Sequence, residues 1–156
     1  MSNSNQTELA SKVYNSLCAA IEELNWKYNK VDSMRISFEV RGDDLPMSFI
    51  IKIDEDRQLV RLFSALPFKI KEDKIAEACV AVCAVNYELT IGSFDLDISD
   101  GTLVFRVTNS FRSSMISKEL LEHIVNYSCA FVDEYNDKFL MLNSSLSLAD
   151  FLKSIK

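Results

Sequence analysis

Glycine and proline are scarce in this chain, three and two residues among 156, so connections should be short and a glycine-rich phosphate cradle is not available. Histidine occurs once, and no spacing pairs that His123 with a nucleophile and an orienting group. No apolar run approaches the roughly 18 to 20 residues that a membrane span requires, so no membrane partner is expected. Positive charge is in deficit, 17 Lys and Arg against 23 Asp and Glu for a net charge of −6. That balance argues against a nucleic-acid surface, where phosphates demand a basic face. Residues 1–6 have neither the basic nor the apolar region of a secretory signal, and a cytoplasmic protein is expected.

What is present is an ordinary globular composition, 48% hydrophobic and 26% charged, long enough to bury one core as a single domain over 1–156. Residues 1–5 are polar and expected to be frayed. From about residue 6 to 24, Leu9, Val13, Leu17, Ala20, Ile21 and Leu24 recur at helical spacing, with Thr7 as a candidate cap. Residues 25–32 break that pattern. Met34, Ile36, Phe38 and Val40 then alternate with polar residues, as a half-buried strand does. A second strand follows with Met47, Phe49, Ile51 and Ile53 on one face, and a third over about residues 58–65. Connections this short make the three an antiparallel meander.

Residues 66–70 are expected to leave the sheet, and a helix starts near Glu72 or Asp73. Between Ile75 and Val85 that helix carries one charge, Glu77, so its apolar surface must be covered on more than one side, by the sheet and by a second helix or a second subunit. A hairpin spans about 93–110, turning at Asp100-Gly101. Ser117 reads as the N-cap of a long helix through Leu142. Ser147-Leu148-Ala149-Asp150 resembles a capping box opening a last helix over 147–155. The order α-βββ-α-ββ-α-α implies an α+β fold, a five-stranded antiparallel sheet with helices packed on it.

Candidate chemistry reduces to structure at each place it arises. Cys79 and Cys83 are four apart on a helix, but a structural zinc needs four Cys or His ligands and their neighbours are aliphatic. All four cysteines, Cys18, Cys79, Cys83 and Cys129, are read as reduced, buried thiols. Asp95, Asp97 and Ser99 begin like a calcium loop, which then fails at Asp100 and Arg106, where Gly and Glu belong. Asp54-Glu55-Asp56 is a solvated turn. No metal, no cofactor and no catalytic residue is expected. The better lead is unexplained apolar surface: Ile50 and Val104 face away from the helices if their neighbours face in, and one of Val60 and Arg61 must join them.

The residues Leu66-Pro67, Lys71-Glu72-Asp73, Asn86, Gly92, Phe94-Asp95-Leu96-Asp97, Asp100-Gly101-Thr102-Leu103-Val104-Phe105-Arg106, Ser117 and Asp133-Glu134-Tyr135, in that order, resemble the YbjN family of bacterial proteins over about residues 10–143. The resemblance implies the fold of the type III secretion chaperones, frequent dimerisation, and no catalytic residues to carry over. Asn86 is expected to hydrogen-bond the turn toward Gly92, and Gly92 and Gly101 to serve backbone geometry. The expected function is a non-enzymatic regulatory or protein-binding role as a homodimer, with a protein or peptide partner and a surface drawn from Ile50, Val80, Ala84, Tyr87, Val104, Phe151 and Leu152. The alternative is a secretion-type chaperone holding an unfolded client segment.

Overall fold

A computed structural model describes residues 3–156, with side chains from residue 5 onward. Helix α1 (Asn3–Glu23) precedes strands β1 (Tyr28–Asp32), β2 (Arg35–Arg41), β3 (Pro46–Asp54) and β4 (Leu59–Lys69). A single 3-10 turn leads into α2 (Ile75–Glu88), then β5 (Ser93–Leu96), β6 (Thr102–Ser110), α3 (Lys118–Ser144) and α4 (Leu148–Ser154). The strands form one antiparallel sheet in the order β1-β2-β3-β4-β6-β5.

The α+β architecture is as expected, but the sheet has six strands rather than five. The additional strand is β1, where four of five residues are exposed. An edge strand with both faces wet carries no alternation to read; its ladder to β2, Tyr28 opposite Phe38 and Asn29 opposite Ser37, holds it in place. Two boundaries also move. Helix α1 begins three residues earlier than expected, so residues 3–5 are helical, while residues 1 and 2 lie outside the described residues. Thr7 is therefore inside the helix, and its hydroxyl donates to the Glu55 carboxylate across the core edge rather than capping. Strand β4 continues through Pro67 to Lys69, past an irregularity between Ala65 and Lys69 that lets a residue without an N–H sit in the strand.

Register decides which side chains share a face. Ile36, Ile51, Leu62 and Val107 lie side by side across four strands, and Phe94, Phe105 and Ser64 form a second lateral row. All are buried, because α1 and α3 pack on this face and α2 covers the β5 end of it. Arg61 thus faces away and Val60 inward. The long helix presents Leu121, Ile124, Val125, Ser128, Val132, Tyr135 and Phe139 to the core. Ser117 caps it, accepting from the Leu120 amide at 3.2 Å. The Ser147 hydroxyl oxygen likewise accepts from the Asp150 amide at 3.1 Å, and its O–H donates to the Asp150 carboxylate at 2.7 Å.

Two side chains lock the ends of the sheet in ways periodicity does not reveal. Buried Asn143 of α3 accepts from the Lys71 amide at 2.8 Å and donates to the Lys69 carbonyl at 2.9 Å, tying the exit of β4 to the helix layer. Gly101, in the left-handed region at φ 75°, donates to the Asp97 carbonyl and accepts from the Ile70 amide, each at 2.8 Å. A Cβ there would stand 2.1 Å from the Ile70 carbonyl oxygen. Gly101→Ala is therefore expected to cost about 3 kcal/mol in a urea melt, from backbone strain and collision together. Ser64→Ala should change stability by less than about 0.5 kcal/mol, because the buried Ser64 hydroxyl has no hydrogen-bond partner among the described residues.

Candidate functional site

Two exposed surfaces stand out, on opposite sides of the molecule. On the helical side, α2 turns Ala78, Ala81 and Val85 inward. Its outer stripe is Ala76, Cys79, Val80, Cys83, Ala84 and Tyr87, with Tyr87 88% and Val80 48% exposed. Helix α4 runs beside it, held down by Phe151, which is fully buried against Phe139 at 5.3 Å between ring centroids. Between the two helices lies an open groove of about 660 Å³ lined by Cys79, Val80, Cys83, Ala84, Tyr87, Leu152 and Ile155, with Glu88 and Lys156 at its edge.

On the other side, the sheet is uncovered. Ile50, 44% exposed, lies next to Phe63 in the neighbouring strand, and Phe63 next to Arg106. A depression of about 680 Å³ is lined there by Arg61, Phe63, Leu96, Ile98, Val104 and Arg106 together with Asp95, Asp97 and Thr102. The Arg61 guanidinium lies over the Phe63 ring at 5.0 Å, and Arg106 pairs with Asp95 at 2.7 Å.

The residues expected to form one partner surface therefore divide. Val80, Ala84, Tyr87 and Leu152 come together in the helical groove, whereas Ile50 and Val104 lie on the open sheet. Phe151 belongs to neither: it is in the core, because α4 presents Phe151 inward while Leu152, one residue on, points about 100° away and into the groove. Cys79 and Cys83 correct a second expectation, being exposed rather than buried, since α2 has no covering element on its outer face. Cys18 and Cys129 are buried, and burial, with Asp133 nearby, pushes the Cys129 thiol up to about 12. Among the described residues no cluster of three or more His, Cys, Asp or Glu could hold a metal ion. No described helix is long and apolar enough to cross a membrane.

Asn86 joins the two layers. Its amide nitrogen donates to the Phe94 carbonyl at 2.9 Å and its oxygen accepts from the Phe94 amide at 2.8 Å. The side chain thus pairs with β5 as a further strand would, which is why α2 ends beside the hairpin. Gly92, at φ 78°, turns the chain between them.

Asp54, at the end of β3 and 6% exposed, accepts from the Arg57 amide at 3.1 Å and from its guanidinium at 3.2 Å. Arg61 is 3.9 Å away. Burial alone would raise this carboxyl, but the Arg57 contacts and the positive charge of Lys52 bring it below its ordinary value. Asp100, on the outer turn, is held down to about 2 by Lys69 and by the Thr102 amide and hydroxyl.

The fold and its surfaces define a class: an α+β domain with helices on one side of an antiparallel sheet, one uncovered sheet face and one unpartnered apolar helix face. Residues 14–141 match the family YbjN, described as "Putative bacterial sensory transduction regulator", and the chain belongs to that family. The crystal structure of YbjN, described as "a putative transcription regulator from E. coli", aligns with a TM-score of 0.58 over 79% of this chain and 90% of its own, at 13% identity. At that identity the likeness is one of fold. No curated protein matches the sequence.

Asn86→Ala should lower stability by about 2 kcal/mol, since it strands both polar backbone groups of Phe94, and hydrogen exchange at the Phe94 amide should accelerate more than at Ile51. For Asp54, a carboxyl depressed on folding contributes stability that is complete above its unfolded pKa and is lost as pH falls through the folded one. Asp54→Asn should therefore lower the melting temperature at pH 7, with the gap to wild type narrowing as the pH falls below the ordinary carboxylate range.

Proposed function

We propose that this YbjN-family chain is a cytoplasmic, non-catalytic regulatory protein that acts through protein contacts, and that it works as a homodimer formed by the outer face of α2. The observation that carries this reading is the exposed stripe from Ala76 to Tyr87, about 16 Å long at 1.5 Å per residue, in which Val80 and Tyr87 stand out among Ala and Cys. A two-fold axis crossing the stripe sets two α2 helices antiparallel. Each Tyr87 then meets the small residues near the start of its partner's helix, and the pattern is self-complementary as a two-fold interface requires.

Size-exclusion chromatography with light scattering is expected to give a dimer at about 50 μM, in the range accessible to a small interface. Val80→Asp with Tyr87→Glu should give a folded monomer whose melting temperature matches that of wild type diluted until it too is monomeric. A wild-type monomer at that concentration rules out the dimer. A stoichiometric unfolded polypeptide in the groove, seen by native mass spectrometry of protein from its own host, would favour a client-holding chaperone instead.

A further inference from the structure

The uncovered sheet face carries a charge pattern that the dimer reading does not use. Arg35, Lys52 and Arg61 are directly opposite one another on β2, β3 and β4, three cations in a lateral row on a chain of net charge −6. Like charges placed opposite across strands repel. Two of the three are compensated locally: Arg35 pairs with Asp32 at 2.9 Å, and Arg61 lies 3.9 Å from Asp54. Lys52, at the centre, has no ion pair within 4 Å among the described residues and acts on Asp32 and Asp54 only at longer range. The adjacent row runs from Ser37 to the apolar pair Ile50 and Phe63. On β6 the residue opposite Phe63 is Arg106, already paired with Asp95, and Val104 lies one row further on, opposite Ala65. Glu39, further along β2, and Asp97, beside the depression, are further acidic residues of this face.

A row of cations flanked by the apolar pair Ile50 and Phe63, both running across the strands, is the complement of a particular object. Adjacent strands are about 4.8 Å apart, and side chains three and four apart on a helix rise by about 4.5 to 6 Å. A helix lying across β2, β3 and β4 matches the cation row with carboxylates at i, i+3 or i+4, and i+7. Its next stripe of Leu or Phe then falls on Ile50 and Phe63. The geometry points to this open face as the docking site for an acidic amphipathic helix of a partner protein, with Lys52 as its central charge contact. Burial of aliphatic side chains against Ile50 and Phe63 supplies affinity, and the cation row sets orientation and on-rate.

The direct probe is a fluorescein-labelled helical peptide of about 15 residues with Glu at the three matching positions and Leu on the adjacent stripe, titrated by anisotropy. Micromolar binding is expected, at least tenfold weaker for the version with Gln in place of Glu and for Lys52→Glu, and weakening between about 50 and 500 mM salt. Lys52→Glu removes no short-range contact but alters the field at Asp32 and Asp54, so its fold is checked by circular dichroism; the Gln peptide tests the same charge contact on unaltered protein. Equal binding of the Gln peptide, wild-type binding by Lys52→Glu, or no binding at about 1 mM would overturn the assignment. Equally tight binding of single-stranded DNA or of anionic vesicles would overturn it in favour of a general polyanion surface. The monomeric Val80→Asp, Tyr87→Glu form should bind the Glu peptide as wild type does, which separates this site from the dimer.

Discussion

Phe94 is held twice, by its backbone and by its ring, and the arrangement of the helical layer follows from that. Asn86 satisfies both of its main-chain groups, which sets the end of α2 against β5. Its ring meets Phe105 at 5.1 Å, Phe139 at 5.2 Å and Tyr135 at 6.1 Å, so the long helix α3 is seated on the same residue. Phe139 in turn touches Phe151, and α4 is positioned through that contact. Each aromatic burial is worth about 1.5 to 3 kcal/mol, but the geometry matters more than the sum. One strand residue connects β6, α2, α3 and, through one further ring, α4.

Because every helix packs on the same side, the protein has two free surfaces of unlike chemistry. The outer stripe of α2 is made of small and apolar side chains with charges only at its ends. The opposite sheet face mixes cations with Ile50, Phe63 and Val104. Neither surface draws on the polar groups that lock the core: Asn86, Asn143 and Gly101 are engaged with backbone. The two faces therefore share no residue with the contacts that lock the fold.

Much of the architecture was legible because burial on one side imposes a period. Ile36 to Phe38 and Met47 to Ile53 alternate, the stripe from Leu121 to Phe139 recurs at three and four, and Ser117 and Ser147 stand where free amides need an acceptor. Strand β1 was not legible, since an edge strand wet on both faces has no apolar period and is held by the backbone of its neighbour. The exposed apolar surface was legible in composition and not in arrangement. Val80, Ala84, Tyr87 and Leu152 do line one groove, whereas Phe151 differs from Leu152 only by the direction it takes from a short helix. Cys79 and Cys83 look like core residues in any pattern that counts apolar side chains, because a free thiol reads the same on either face of a helix.

By itself the sequence determined the class, the order of elements apart from β1, the caps at Ser117 and Ser147, the turns and the family, since these rest on local spacing and on residues whose backbone demands are particular, as at Asn86 and Gly101. Only the tertiary structure decided which apolar residues are covered and which cations stand together. Arg35, Lys52 and Arg61 are separated by 17 and 9 residues along the chain, and a row across strands exists only once register is set. Register depends on the burial of the opposite face as a whole, a cooperative property of the core that no short stretch encodes.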